Sequence, residues 1–313
     1  MIDLLWDESL NIALHDALGP AVTVLNWLTH LGDGTVLIIA AIALYWFGAA
    51  ESRRDRAFVI AVGAAAFALA AGVKGIFQLP RPALEFTPAY YPGYTFPSAH
   101  AMGAAAFYGS LAVIMESGKR WQRYLVASVL IVVVALSRVT RGVHFLGDVV
   151  VGTILGLCLV WIGLRWRQQG SFQPGLVFLL AGMIAVVTII LGSREYVPLA
   201  IGAGFGGAAG WWWALDRKTS NSGAAILITG IGLIAGIAIV RTVTAVLGNP
   251  IPGAMDPIVF VAEIVAYGIL VALVMAVPAL AITVEDMPTV RWLQTTLPFR
   301  RRQIEMSTAG EQT

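Results

Sequence analysis

Residues 137–162 read SRVTRGVHFLGDVVVGTILGLCLVWI. From Val149 onward the run carries no charge until Arg165, and the whole apolar stretch near 145–166 is long enough to cross a bilayer as a helix (roughly 17–25 residues). Its head is different: two arginines, a histidine and an aspartate precede the apolar run. His144 and Asp148 stand four residues apart at the start of the span, so they share one helix face. An apolar helix with a polar, titratable head is the unit from which the rest of the chain can be read.

Working outward, the same apolar texture recurs. The chain has 313 residues, of which 58% are hydrophobic and 12% charged, against about 25% charged in an average soluble domain. Its mean hydropathy is +0.80. Apolar runs fall near 33–50, 57–79, 98–117, 121–138, 145–166, 174–192, 196–215, 223–247 and 257–284. The expectation is an all-α, polytopic transmembrane helical bundle of about nine spans. Residues 1–30 mix Trp6, Leu10, Leu14 and Leu18 with Asp, Asn and His, which suits interfacial amphipathic helices better than a span. Their acidic start, with Asp3, Asp7 and Glu8, does not suit a cleavable signal peptide. The single cysteine, Cys158, excludes a disulfide framework and reads as a small apolar packing residue.

The loops predict an orientation. Arg53, Arg54 and Arg56, then Lys119, Arg120 and Arg123, then Arg165 and Arg167, then Arg217 and Lys218, fall on one side with the tail's Arg291, Arg300, Arg301 and Arg302. That is 14 of 20 basic residues, which the positive-inside rule assigns to the cytoplasm. Lys74, Arg81, Arg138, Arg141, Arg194 and Arg241 remain for the outer face. Residues 31–167 form the expected membrane core. Residues 174–284 are additional spans rich in small residues, including the run 202–207 and the pair Gly232 and Gly236, whose spacing lets helices approach closely. Residues 285–313 form the expected cytoplasmic tail. Trp211-Trp212-Trp213 fits an interfacial belt, and Glu263 reads as a buried carboxylate in the last span with Arg241 as a candidate partner.

Ionisable groups near a membrane interior are costly, so several converging at one depth point to a site. Lys74 and Arg81 lie seven residues apart around the end of the second span, where Pro80 and Pro82 should stop the helix and present Arg81 from a loop. Pro97 and Ser98 suit the start of a helix whose free N–H groups can meet an anion, with His100 just inside. Ser137 and Arg138 close the fourth span. Three cations, two histidines and a carboxylate can hold a phosphate and attack it.

Lys-x6-Arg-Pro, Pro-Ser-Ala-His and Ser-Arg-x5-His-x3-Asp, separated by 14 and 36 residues, resemble the three-part signature of the type-2 phosphatidic acid phosphatase superfamily. Glucose-6-phosphatase and the vanadium haloperoxidases share it. The resemblance covers about residues 20–167, with one departure: Ala99 stands where the family usually has Gly. It implies that His144, oriented by Asp148, is the nucleophile forming a phosphohistidine. It implies that His100 is the general acid, and that Lys74, Arg81, Ser98, the Ala99 amide and Arg138 hold the phosphate. Members of the family need no metal or other cofactor. The implied substrate is a membrane lipid phosphate or polyprenyl diphosphate, in what reads as a prokaryotic cell membrane with no nucleic-acid partner. The aromatic loop of Tyr90, Tyr91, Tyr94 and Phe96 offers head-group contacts or interfacial anchors. Rival readings are phosphotransfer at the same residues, or a transporter or lipid-binding protein. The latter is weakened because Pro80, Pro82, Pro88 and Pro92 have no counterpart in the second half.

Overall fold

The computed structural model describes residues 3–48, 52–88, 91, 93–193, 196–247 and 257–296, without the side chains of 3–4, 171–172, 236–247 and 258. Arg194, Tyr90, Pro92, Arg300, Arg301 and Arg302 therefore lie outside the described residues, as do Gly236 and Arg241 as packing or charge partners. Among the described residues the chain is helical throughout, with no strand. Its α-helices are α1 (Glu8–Leu18), α2 (Ala21–Leu28), α3 (Gly34–Phe47), α4 (Arg53–Phe77), α5 (Ala99–Ile114), α6 (Arg120–Thr140), α7 (Leu146–Arg165), α8 (Gln173–Ile190), α9 (Val197–Leu215), α10 (Gly223–Leu247), α11 (Pro257–Leu280) and α12 (Pro288–Thr296).

Each of the nine apolar runs contains one helix, α3 to α11. Among the described residues, five stretches are long and apolar enough to cross a membrane, or six if the bent segment of α2 and α3 counts as one broken span. Helix α5 falls short with 16 residues, and α9 is diluted by glycine.

Helix α4 is the hub, packing against α3, α5, α7, α8 and α9. Its alanines make this possible, because Ala57, Ala61, Ala65, Ala66 and Ala68 are buried and add little girth. It stops at Gln78, which takes a left-handed conformation (φ 48°) ahead of Pro80 and Pro82. Helices α5 and α7 meet at Gly152 and Gly156, where an added Cβ would lie 2.7 Å from Ser98 O and 2.5 Å from Met102 O. That close approach fixes the start of α5 beside the start of α7.

In the second half, Gly206 and Gly210 of α9 press on α11, with an added Cβ only 2.1 Å from Gly268 O and 2.4 Å from Ala272 O. Gly232, by contrast, meets nothing within 4 Å, so the expected close contact falls on α9 instead. Pro278 lies inside α11 and has no N–H to offer the carbonyl of Val274. The indole of Trp46 donates to that carbonyl (2.9 Å), and the Tyr45 hydroxyl donates to Met275 O (2.7 Å). Two aromatic residues of α3 thereby tie the halves together.

Several sequence expectations change here. Cys158 is exposed on α7 beside outward-facing Ile154, Leu157 and Trp161, so it is not a packing residue. Glu263 is exposed on α11 rather than buried. Of the three tryptophans, Trp211 is buried and Trp212 packs on Gly175. Only Trp213 is exposed, under the Arg217 guanidinium at 4.0 Å. The tail begins with a docked helix, since α12 packs on α10 and buries Val290. The N-terminal helices also do more than lie at an interface: α1 packs against α6 and buries Asn11 completely (0% exposed).

Candidate active site

The site forms where α4 and α6 end and α5 and α7 begin. The basic residues Arg53, Arg54 and Arg167 sit at the other end of the same helices, where Arg54 donates to Arg167 O (2.9 Å) and Gln173 Oε1 (3.2 Å).

His144 lies in the short loop before α7 and is 2% exposed; Asp148, one turn into the helix, is 0% exposed. Asp148 has two tasks. Its Oδ2 accepts from the Phe145 N–H (2.9 Å), tying off an orphan donor at the start of α7. The same oxygen stands 3.5 Å from His144 Nδ1. Between the two sits Thr95, whose hydroxyl donates to Asp148 Oδ2 and lies 3.2 Å from His144 Nδ1. A hydroxyl that gives its proton to the carboxylate presents its lone pairs to the ring, so Nδ1 carries the hydrogen.

The opposite nitrogen, Nε2, faces Arg81 Nη1 at 3.2 Å. A guanidinium only donates, which makes Nε2 the acceptor. This tautomer leaves a lone pair on Nε2. Burial, then Lys74, Arg138, Arg81 and His100, hold the His144 pKa well below the ordinary imidazole range. The ring is therefore neutral at pH 7.

The cations are anchored as well as charged. Arg81 also donates to Val143 O (2.6 Å) and Gly93 O (3.1 Å); burial lowers its pKa to about 10, so it stays charged. Lys74 donates to the carbonyls of Tyr94 and Thr95, the latter at 3.0 Å, and so holds the loop that carries Thr95. Arg138 is 1% exposed. Its Nη1 donates to Thr29 Oγ1 (2.8 Å) and its Nη2 to the Tyr91 hydroxyl, while its buried Nε has no acceptor among the described residues. Tyr91 lies under Arg81, Arg138 and Arg141 at 4.6, 5.3 and 6.0 Å from its ring centre.

Ser98 caps α5: its Oγ accepts from the Ala101 N–H at 3.5 Å, and its own N–H donates to Asp148 O (3.1 Å). Ala99 is exposed, so its methyl group fills no part of the interior. His100 projects from the first turn and meets Asp33, not Asp148. Among the described residues no cluster of three or more His, Cys, Asp or Glu is placed to hold a metal ion.

All eight residues singled out by the sequence gather at this end of the bundle. Five others escaped it: Thr95, Asp33, Thr29, Trp6 and Asn11. Trp6 Nε1 donates to Asp148 Oδ1 (3.3 Å). Asn11 Nδ2 donates to Val139 O (2.8 Å) and His144 O (2.9 Å), while His15 Nδ1 meets Thr140 O at 2.8 Å. The N-terminal segment thus clamps the loop from 139 to 148. Polar residues scattered on an amphipathic stretch gave no periodic signal of this, since their partners lie more than 120 residues away.

Comparison with known proteins identifies the family. The PAP2 superfamily model matches residues 55–171. Phosphatidylglycerophosphatase B of Bacillus subtilis strain 168 is 31% identical over 150 residues, covering 44% of this chain and 71% of that protein. A crystal structure described as the first transmembrane PAP2-type phosphatidylglycerolphosphate phosphatase from Bacillus subtilis is 28% identical. It covers 52% of this chain and 86% of its own, with a TM-score of 0.45.

Proposed function

Because the chain belongs to the PAP2 superfamily, we propose that it is a multi-pass membrane phosphatase that hydrolyses a lipid phosphate through a phosphohistidine on His144. The observation that carries the mechanism is the orientation of one imidazole: Nδ1 is tied to Thr95 and Asp148, and Nε2 faces a guanidinium.

In the first step the Nε2 lone pair attacks phosphorus and the bond to the leaving oxygen breaks. His100 gives that oxygen a proton. Asp148, acting through Thr95, stabilises the positive charge that develops on the His144 ring. Arg81, Arg138 and Lys74 meet the phosphoryl oxygens, with the N–H groups at the start of α5. The buried Arg138 Nε, which has no acceptor among the described residues, is a donor a phosphate oxygen can satisfy. In the second step water attacks phosphorus, His100 takes its proton, and the phosphohistidine bond breaks to release phosphate. The fixed cations supply the charge for both steps, which makes the reaction metal-independent in this reading.

Nine spans put α3 to α11 across the bilayer. The basic loops then lie in the cytoplasm, and the site opens at the extracytoplasmic surface, where a lipid can present its head group without leaving the membrane. The related Bacillus subtilis protein makes phosphatidylglycerol phosphate the first substrate to assay, ahead of phosphatidate and polyprenyl diphosphate. Purified protein in detergent should release free phosphate from at least one of these, and His144→Ala should not. Transfer of the phosphoryl group to an added alcohol with no free phosphate would assign phosphotransfer instead. Equal release by both proteins would remove His144 from the chemistry.

A further inference from the structure

The site contains two histidines, and each has a carboxylate. His144 has Asp148; His100 has Asp33, whose Oδ1 lies 2.7 Å from His100 Nε2. Asp33 precedes α3 and lies outside the residues matched by the family model. It occupies the N-cap of α3, with its carbonyl accepting from Leu37 N at 2.9 Å. An aspartate there ordinarily spends its carboxylate on the first free N–H groups of the helix. This one makes no side-chain cap. Its second oxygen, Oδ2, instead meets His30 Nδ1 at 2.5 Å, so the carboxylate lies between two imidazoles.

There is little slack in this arrangement. A Cβ on Gly32 would lie 2.4 Å from Val134 of α6 and 3.4 Å from His100 O of α5. The charged groups that face His100 are Asp33, Arg138 and Arg81. Two are cations, which oppose a proton on the ring, and one is an anion, which favours it. A general acid must carry a proton before each turnover, in a pocket whose other charges exist to hold an anion. Among the described residues, Asp33 is the negative group in contact with it.

We propose that Asp33 is the positioning residue of the general acid, holding a proton on His100 Nε2 so that Nδ1–H is presented to the leaving oxygen. The role rests on the hydrolase reading above. His100 gives its Nδ1 proton to the oxygen as the P–O bond breaks. It keeps Nε2–H on Asp33, then recovers a proton at Nδ1 from the water that attacks the phosphohistidine. His30, with a side chain 59% exposed, fixes the second carboxylate oxygen and takes no part in the transfer.

Two measurements on Asp33→Asn test this. The first compares a lipid phosphate, whose alkoxide must be protonated to leave, with p-nitrophenyl phosphate, whose phenolate need not be. We expect kcat to fall about 100-fold on the lipid and about 5-fold on the aryl ester, with the alkaline fall in rate moved to lower pH. Asp33→Glu should recover part of the lipid activity. Equal losses on both substrates, or no loss, overturn the proposal. The second follows the His100 ring by NMR in detergent and needs no turnover. The midpoint of its titration should drop by about one unit or more without the carboxylate, and an unchanged midpoint overturns the proposal. A protein that releases no phosphate from any lipid but shows this drop would sink the hydrolase reading and leave the pairing intact.

Discussion

The two halves of this bundle use their small and polar residues to opposite ends. From Trp6 to Arg165, small residues bring helices close so that polar groups can meet: Gly152 and Gly156 let α7 touch α5, and the contact sets His144 and Asp148 beside Ser98 and His100. From α8 to α11, Gly206 and Gly210 bring backbones equally close, yet no comparable titratable cluster is found there among the described residues. Close packing is thus the shared device, and the polar groups it brings together decide whether chemistry follows. The second half is joined to the first through α4, Tyr45 and Trp46, which makes it a support for the hub helix.

That contrast can be broken by substitution. The largest effect belongs to His144→Ala, which should lower phosphate release by more than about 10³-fold while leaving the melting temperature in detergent nearly unchanged; a variant with wild-type turnover would end the comparison. Thr95→Val should cost about 30-fold in kcat, because it removes the bridge between ring and carboxylate, and Thr95→Ser should restore most of it. Asn11→Leu should lower kcat about 10-fold by freeing the carbonyls of Val139 and His144, which shifts the loop that carries the nucleophile. Gly206→Val should do the reverse of these three. Overpacking against Gly268 should cost about 1–3 kcal/mol of stability, read as a lower melting temperature, while kcat per folded molecule changes less than about twofold. A large loss of kcat there would mean that the second half shapes the site directly.

The smallest effect is a displacement of pH dependence. His144 must be neutral to attack, and its pKa is held down by burial and by Lys74, Arg138 and Arg81. Protonation therefore begins only below the ordinary histidine value, and the acid-side fall in kcat/KM should lie below pH ~6.5. A fall centred at or above that value would mean that the nucleophile is not the buried ring.

Helices were legible because apolar runs of this length have few alternatives, and the prolines after α4 and the Pro97-Ser98 pair before α5 marked two of their ends. Lys74, Arg81, Arg138, His100, His144 and Asp148 were legible because charges are conspicuous in such sequence. Thr95 was not, since a threonine in a loop carries no pattern and its importance comes from lying between two groups 49 and 53 positions away. Asp33 drew no attention in the sequence, and its side-chain direction toward His100 is what sets it apart from an ordinary helix cap. The outward faces of Cys158 and Glu263 depend on helix rotation, which uniform hydrophobicity does not encode. Gly232 misled for a related reason: the spacing permits close approach without requiring it.

The clamp formed by Trp6, Asn11 and His15 also has a consequence in time. Its donors are synthesised first and their acceptors more than 120 residues later, so the loop that carries His144 cannot be secured until α6 and α7 have been inserted and folded back onto α1. The unfinished chain carries an open clamp through about the first half of its insertion. The same geometry guides engineering: a bulky fusion placed just ahead of Trp6 would press on a hydrogen-bond donor to Asp148, whereas one placed after α12 would stand at the far end of the bundle.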